Sequence, residues 1–340
     1  MNFDLDDEQR DLAAAARDFF TDSAGPAHAR AALDAAPDVG PDAGSDADQP
    51  TASVPPGREE LVKSGFATIT IPEASGGGGG SLLDLAVVAE QAGRLLAGPS
   101  LATYARAAEL LAEEPERLAA LADGTLAVAV VDGSAPVLDA LGADMFLTMR
   151  EDRIVCGPGV VTRRDPIDAT RGLADVAVVA DAASVPGGPE RWSRAERIGR
   201  VILAAEGLGA ADRALQIGVE YAKQRHAFGR AIGSYQAVKH MLVDVYVEVE
   251  QLRSLVWWAS WAADNAPDEL PLASAAAKAA AATTLEHAAE TLIQVHGGIG
   301  YTWEHDAHLY WRRAKVDRFL LGDDVAAFDE VARIAMEGAR

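Results

Sequence analysis

A segment near the C-terminus combines residue types that bind anions. It reads YAKQRHAFGRAIGSYQAVKHMLVD over residues 221–244, and it predicts a helix that ends at a tight turn of Phe228 and Gly229. A second helix is expected to begin near Ser234, with Ser234 as its N-cap. Arg225 in the last turn of the first helix and Gln236 in the first turn of the second are expected to meet. A guanidinium beside a helix N-terminus suits a pyrophosphate, so the pattern predicts an anion site.

A second segment, QVHGGIGYTWEHDAHLYWRRAK over residues 294–315, carries glycines at a predicted corner between helices. Gly297, Gly298 and Gly300 allow close backbone approach, and exposed peptide N–H groups there could bind phosphate or adenine. Taken separately, each segment is equally compatible with an ordinary loop of a helical bundle.

Three other features favour structural roles. The glycine run at 76–80 lacks the lysine and serine of a phosphate loop, so it is interpreted as a flexible connector. Residues 304–308 place His305 and His308 on one helix face without a third ligand nearby, which favours a helix start over a metal site. Cys156 has no neighbouring cation to activate it and is expected to be a buried thiol.

The elements that must position these residues follow the order α, β, α. Helical patterns cover 5–22, 58–64, 81–96, 100–112, 115–122, 195–224, 233–265, 272–296 and 304 to near the C-terminus. Short β-branched runs lie between them, at 125–131, 144–150, 153–162 and 176–181. The sequence therefore predicts a mostly α chain with a small β middle domain. Its predicted parts are a helical domain over 1–122 with a flexible acidic loop at 38–57, a reduced β domain over 123–190 and a helical bundle over 191–340.

Composition limits the classes of partner. The 340 residues include 30 Lys plus Arg against 52 Asp plus Glu, a formal charge of −22. This charge repels nucleic acid and anionic membrane surfaces, so neither is an expected partner. The acidic N-terminus lacks an apolar stretch and no apolar run of about 18 residues occurs, so a cytoplasmic location without a membrane span is expected. The single cysteine excludes an internal disulfide.

Together, the two C-terminal segments closely resemble the C-terminal domain of the acyl-CoA dehydrogenases. The shared order is QR-x-x-FG-x-x-IG-x-x-Q-A-V-K-H, then Q-x-x-GG-x-G-Y, then R-x-A-K. The stretches GFATITIPE, GGGGGS and DLAVVAEQAGRLLAGPS are similar to that family's N-terminal helical domain. The resemblance implies an acyl-CoA dehydrogenase-like fold with a C-terminal four-helix bundle. It also implies FAD in a cleft and α,β-dehydrogenation of an acyl-CoA to an enoyl-CoA.

The resemblance implies that FAD is shared between subunits, because the bundle of one family member reaches the nucleotide end of FAD bound mainly to its neighbour. The residues assigned to this role are Arg225, Phe228, Tyr235, Gln236, Gln294, Val295, His296, Gly297 and Gly298. The family holds the isoalloxazine with T-E-P-x-x-G-S-D and W-I-T-N segments, and this chain has a counterpart of neither. A complete flavin pocket within one subunit is therefore not expected.

The family's catalytic glutamate is replaced as well. Matching RRAKVDRFLLGDD to the family's Y-E-G-T region puts Leu321 at the usual base position. Matching ERIGRVILAAEGLG puts Gly199 at the alternative position and leaves Arg200 as the substrate-side cation. Asp323 and Asp324 are weak substitutes, because a helical shift of two or three residues turns a side chain away from its original direction.

The resemblance therefore implies a heteromer similar to the actinobacterial α2β2 acyl-CoA dehydrogenases of steroid side chains. This chain would be the short subunit beside a longer acyl-CoA dehydrogenase subunit that carries the base. The implied substrate is an acyl-CoA and the implied acceptor an electron-transfer flavoprotein. Two alternatives stay open: a stand-alone homo-oligomeric flavoenzyme with Asp323 or Asp324 as base, and a non-catalytic thioester-binding or scaffold protein.

Overall fold

Helices form the first part of the described chain, which comprises residues 4–34, 57–133, 135–164 and 167–338 of the computed structural model. They are α1 (Asp7–Ser23), α2 (Pro26–Asp34), α3 (Arg58–Lys63), α4 (Leu82–Arg94), α5 (Leu101–Leu110) and α6 (Pro115–Ala122). All five helices predicted here are present, whereas α2 was not predicted. Side-chain caps set several ends: the Ser81 hydroxyl accepts the Asp84 N–H and begins α4. The predicted acidic loop at 38–57 lies outside the described residues, apart from Gly57.

The glycine run at 76–80 is not the flexible connector that its composition predicts. The N–H groups of Gly78, Gly79 and Gly80 donate to carbonyl oxygens of the preceding segment 68–71 at 2.8–3.0 Å. A Cβ atom on Gly77 would overlap the backbone of Ile71. Glycine is needed here because two stretches of backbone lie in direct contact.

Short strands form the middle part. They are β1 (Val128–Val131), β2 (Met145–Arg150), β3 (Arg153–Gly157), β4 (Gly159–Arg163), β5 (Ala174–Val178) and β6 (Ala183–Val185). One sheet has the order β1-β2-β3-β6, and β4 pairs with β5. The strand predicted over 153–162 is two strands, because Pro158 lacks an N–H and interrupts the ladder. Cys156 is a buried free thiol in β3, as predicted, and burial raises its pKa.

The C-terminal part is again helical, which confirms the predicted order of α, β and α. Its elements are α7 (Pro189–Gln224), β7 (His226–Ala227), β8 (Arg230–Ala231), α8 (Gln236–Asn265), α9 (Leu270–His296), α10 (Ala307–Asp317) and α11 (Asp324–Gly338). The single helix predicted from 304 onward is two helices, because Leu321 and Gly322 have left-handed φ values of 58° and 94°. Ser234 is not the N-cap of α8: its hydroxyl donates to the Ala231 carbonyl, and α8 begins at Gln236.

Helix α7 is the centre of the packing. It contacts α4, α5, α8 and α9, and its middle is buried on all sides. Close approach to α4 depends on small residues, since a Cβ on Gly93 would overlap the Glu206 carbonyl and one on Gly209 the Glu90 carbonyl. The alanines of α9 serve the same purpose on the other side of α7.

Buried ion pairs connect the middle part to the helices. Arg171, which has 0% exposure, donates to Glu206 of α7 at 2.7 Å and to Asp317 of α10 at 2.5 and 2.8 Å. Arg313 of α10 donates to Asp168 at 2.6 Å. These charges fix the segment around residues 168–171 against both helices, because separating them would leave an uncompensated charge in the interior.

Asp139, which lies near these ion pairs, makes the stability of the protein depend on pH. Its Oδ2 accepts from the Ser100 N–H at 3.1 Å and the Thr103 hydroxyl at 2.5 Å, whereas its buried Oδ1 has no described partner. Burial raises the pKa of this carboxyl from 3.8 to about 6. Between these values the native state holds a proton that the unfolded chain has lost, so stability decreases as pH rises through this window.

Asp139→Asn is therefore expected to change the pH dependence of unfolding. The unfolding free energy of the variant relative to that of the parent should increase by about 2–3 kcal/mol as the pH rises from about 4 to about 6.5. Urea unfolding at intervals across this range measures the difference. A difference that stays constant with pH would show that Asp139 does not titrate in this window.

Candidate functional site

The two glycine-containing segments predicted to bind a nucleotide meet at one end of the helical bundle. Helices α7 and α9 end there, and α8, which runs the opposite way, begins there. The Tyr221 ring of α7 stacks on the His296 ring of α9 with centroids 4.0 Å apart. One turn earlier, a Cβ on Gly218 would lie 3.3 Å from Leu242 of α8 and 3.9 Å from Leu292 of α9. Close packing of three helices therefore brings the two segments together.

A short hairpin crosses this end of the bundle. Phe228 and Gly229 form the turn between β7 and β8, both with left-handed φ values of 53° and 81°, as two-residue hairpin turns require. The Tyr235 hydroxyl donates to the Ala227 carbonyl at 3.0 Å, and the Arg230 guanidinium lies 3.9 Å from the centre of the Tyr235 ring. Phe228 is 97% exposed. Tyr235 thus supports a hairpin that presents an aromatic ring to the surroundings.

Most residues assigned to the nucleotide end of FAD are open to solvent. Arg225 directly follows α7, Gln236 opens α8, and both side chains are exposed. Gln294 is exposed at the end of α9. A Cβ on Gly297 or Gly298 would meet no atom within 4 Å, so space is free above this backbone.

Val295 and His296 differ from this pattern, because both are buried. The His296 ring lies between Tyr221 and His305, and its Nδ1 is 2.8 Å from the Leu292 carbonyl oxygen. Burial lowers the pKa of His296. These two residues support the exposed surface from below, and a direct contact of either side chain with a cofactor is not visible in this arrangement.

The electrostatics of this end differ from those of the whole chain. Residues 221–243 contain Lys223, Arg225, Arg230 and Lys239 and no Asp or Glu, although the chain carries a net charge of −22. The N-terminus of α8 adds partial positive charge at the same end. An exposed cationic surface with free space above two glycines fits the nucleotide end of FAD.

The positions matched to the catalytic base lie elsewhere, at a cleft of about 790 Å³. The cleft is bounded by β1, β2 and β5, by the first turns of α7 and by the segment after α10. Its walls are mostly apolar and include Val131, Met149, Val178, Trp192 and Leu320. Leu321 also lines it.

Gly199 and Leu321, the two alternative base positions, face the same place. A Cβ on Gly199 would lie 2.9 Å from Leu321 Cδ1 and only 2.5 Å from Arg106 Cδ. The Arg106 side chain therefore occupies the space that a side chain at 199 would need. Both terminal nitrogens of Arg106 donate to the Asp132 carboxylate at 2.6 Å. Arg106 and its counterion Asp132 therefore leave no room for a carboxylate side chain at position 199.

The substitute bases have structural roles in the described chain. The Asp323 carboxylate accepts the Ala326 N–H at 2.8 Å at the start of α11. Asp324 is buried and pairs with Arg318 at 2.8 and 3.0 Å. The described residues that line the cleft include neither aspartate.

Arg200, predicted to be the substrate-side cation, is already engaged. Its guanidinium donates to Glu196 at 2.7 Å, to Glu330 at 2.6 Å and to the Leu321 carbonyl at 3.0 Å. These bonds fix the turn at Leu321 and leave Arg200 with little capacity for another anion.

Sequence reasoning missed the charged residues of the cleft. Arg106 is the single charged residue in the apolar stretch LATYARAA, a pattern that indicates a buried cation in need of a counterion. Its partner Asp132 is separated from it by a helix and a strand, and nothing in the sequence indicates the pairing. Glu196 also lines the cleft and had no distinguishing signal.

Neither a metal site nor a membrane span is found among the residues that the structure describes. No three His, Cys, Asp or Glu side chains there lie close enough to hold a metal ion. His305 instead accepts the Ala307 N–H at the start of α10. None of the described helices combines the length and the apolar character required to cross a bilayer.

Family models match most of the chain. Residues 6–115 match the model described as acyl-CoA dehydrogenase, N-terminal domain, and residues 193–336 match acyl-CoA dehydrogenase, C-terminal domain. Acyl-CoA dehydrogenase IpdE2 of Mycobacterium tuberculosis is 37% identical over 268 residues, which cover 74% of this chain and 77% of that protein. IpdE2 of Mycolicibacterium smegmatis is 35% identical, with coverage of 76% and 80%.

Solved structures share the fold along nearly the whole chain. A variant of the Tcur3481-Tcur3483 steroid ACAD superimposes with a TM-score of 0.81 at 27% identity, covering 98% of both chains. The ChsE4-ChsE5 complex from Mycobacterium tuberculosis gives a TM-score of 0.79 at 23% identity, covering 100% of this chain and 99% of the matched one. At 23% identity, the likeness to the ChsE4-ChsE5 complex concerns the fold alone.

Proposed function

Because this chain belongs to the acyl-CoA dehydrogenase family, we propose that it is the short, base-lacking subunit of a heteromeric FAD-dependent acyl-CoA dehydrogenase. In this proposal, the chain contributes residues that bind the nucleotide part of FAD, and a longer subunit holds most of the cofactor. The observation that carries the proposal is a contrast between two regions. The end of the bundle that carries Arg225 and Gln236 is open and cationic, whereas Arg106 fills the space that a side chain at the alternative base position, Gly199, would need.

The missing base supports a proposal in which the two subunits have different functions, with proton removal assigned to the longer one. Removing a proton from the α-carbon of a thioester requires a base within hydrogen-bond reach, and leucine and glycine provide none. A carboxylate placed beside Arg106 would form an ion pair, which disfavours proton uptake. The catalytic glutamate is therefore expected on the longer subunit. When bound, FAD would supply the acceptor for the hydride that leaves the β-carbon.

The exposed residues at the end of the bundle that carries Arg225 and Gln236 support this contribution to FAD binding. Arg225 would pair with the pyrophosphate of FAD, and Gln236 and Gln294 would donate or accept at its polar groups. The backbone at Gly297 and Gly298 would approach the adenine end. A partner subunit carrying FAD would cover the exposed ring of Phe228.

The partner and substrate are proposed from the relatives. Each of the two structural relatives is named as a pair of proteins, and one pair is called a steroid ACAD. We therefore propose a longer acyl-CoA dehydrogenase subunit as partner in an α2β2 assembly, with the CoA thioester of a steroid side chain or another bulky acyl group as substrate. An electron-transfer flavoprotein is the proposed acceptor.

Co-expression with an adjacently encoded longer homologue tests the proposal. We expect a stable complex that contains flavin and oxidises an acyl-CoA with a ferrocenium-type acceptor, whereas this chain alone should contain little flavin and show no turnover. A colourless complex would favour the scaffold alternative. Oxidation of a thioester by the isolated chain with its own FAD would end the proposal.

Asp323→Asn tests the base assignment within the complex. We expect turnover to stay within about twofold of the parent, because asparagine caps a helix as well as aspartate does and the carboxylate faces the α11 N-terminus. Steady-state kinetics of the complex measure kcat and KM. Abolished turnover with unchanged folding would assign the base to Asp323.

A stand-alone enzyme is favoured by one observation, the Glu196 carboxylate in the cleft wall. The bond from Arg200 at 2.7 Å weakens this candidate, because the Glu196 carboxylate is already held by a guanidinium rather than free to face a substrate. The stand-alone alternative predicts a purified chain with stoichiometric flavin, whose turnover Glu196→Gln abolishes.

A further inference from the structure

The cleft is well formed even though the base region beside it is filled. Its volume of about 790 Å³ lies within the range of small-molecule sites, which is roughly 300–1,000 Å³. Val131, Met149 and Val178 form apolar walls, and Trp192 adds a large aromatic surface. Such walls favour a ligand with a bulky apolar body.

The charged residues of the cleft show what the polar end of that ligand would be. Arg106 pairs with Asp132, Lys315 with Glu286, and Glu196 with Arg200. Arg150 is different, because it has no carboxylate partner among the described residues. Its terminal nitrogens donate to the carbonyl oxygens of Val178, Val179 and Ala180, at 2.6–3.2 Å.

Carbonyl oxygens orient the Arg150 guanidinium without neutralising it. Three bonds leave the side chain half-buried with a full positive charge and with N–H groups, including Nε, that have no described acceptor. A carboxylate is the small anion that matches a guanidinium in shape and charge.

We propose that this cleft is a second ligand site, separate from the end of the bundle that carries Arg225 and Gln236, and that it takes a free carboxylic acid with a bulky apolar body. The carboxylate binds Arg150, and the apolar body lies against the walls that include Trp192. The inference goes beyond the proposed function, because it requires neither flavin nor the partner subunit.

A CoA thioester is a poorer ligand for this cleft. It carries several phosphate charges, and the chain as a whole carries −22, so only a strongly cationic channel would admit it. The described cleft offers a single uncompensated cation, which matches one carboxylate. The cleft is thus suited to the free acid rather than to its CoA thioester.

A pair of fluorescent probes tests the proposal on the full-length chain. 1-Pyrenebutyrate and 1-pyrenebutanol share their apolar body and differ in the carboxylate. We expect pyrenebutyrate to bind one to one and the alcohol to bind about tenfold more weakly or worse. Absence of pyrenebutyrate binding, or equal affinity for both probes, would overturn the proposal.

Two matched pairs of variants locate the site. Ala177→Trp should abolish binding of both probes, because exposed Ala177 lines the cleft, whereas Ala183→Trp on β6 should bind like the parent. Arg150→Gln should remove the preference for the acid, whereas Arg153→Gln on the adjacent strand should retain it. Unchanged affinity in Ala177→Trp contradicts the proposal even if Arg150→Gln fails to fold.

The flavin content of the complex separates this inference from the proposed function. Ala177→Trp should leave flavin per heterodimer unchanged while pyrenebutyrate binding is lost. If Ala177→Trp removed the flavin as well, the cleft would be part of the cofactor site and the proposed second site would be wrong. A complex without flavin whose cleft still bound pyrenebutyrate would contradict the proposed function alone.

Discussion

Arg171→Met is expected to lower the free energy of unfolding by about 3–5 kcal/mol. Arg171 has 0% exposure and donates to Glu206 on one helix and to Asp317 on another. Methionine preserves much of the volume but leaves two carboxylates buried without their cation. The cost arises from these uncompensated charges rather than from lost packing. Urea or thermal unfolding of the full chain measures it.

Arg164→Met is the matched control, because it makes the same substitution at an exposed ion pair. Arg164 donates to Asp175 at 2.8 Å, and both side chains are roughly half exposed. The expected loss is below about 1 kcal/mol. A comparable loss of unfolding free energy at both positions would mean that burial does not determine how much the Arg171 ion pairs contribute to stability.

The helical parts of the fold follow from sequence patterns that local physics explains. Long apolar periodicities predict elements that depend mainly on their own residues, and the serine and aspartate caps and the proline at the start of α7 fix where these elements begin. The meeting of Arg225, Gln236 and Gln294 at one end also follows from topology, since successive antiparallel helices return the chain to the same end.

Features that depend on tertiary contact were not predictable in this way. The pair of Arg106 and Asp132 forms because α5 packs beside β1, and the sequence does not state that adjacency. Leu321 adopts a left-handed φ that leucine rarely has, because Arg200 holds its carbonyl. The glycine run at 76–80 is ordered by neighbouring backbone, which composition alone cannot reveal.

Arg225→Ala is expected to strip FAD from the complex with the longer subunit. Residues 221–243 contain four Lys or Arg and no acid, and Arg225 directly follows α7 at the end of the bundle where α8 begins. Loss of a charge-assisted bond to a pyrophosphate should weaken FAD binding about tenfold or more. Flavin absorbance per heterodimer after gel filtration, followed by titration of the apo-complex with FAD, measures the change.

Three controls separate a cofactor contact from a folding defect. The unfolding free energy of the isolated Arg225→Ala chain should equal that of the parent within about 0.5 kcal/mol, because the Arg225 side chain is exposed. Arg153→Ala, at an exposed arginine of β3, should retain full flavin. Arg225→Lys should retain part of the affinity, since an ammonium preserves the charge but not the paired donors. If Arg225→Ala kept its flavin while the complex stayed assembled, the pyrophosphate of FAD would not be bound by Arg225, and the proposed contribution of this chain to FAD binding would lose its main charged contact.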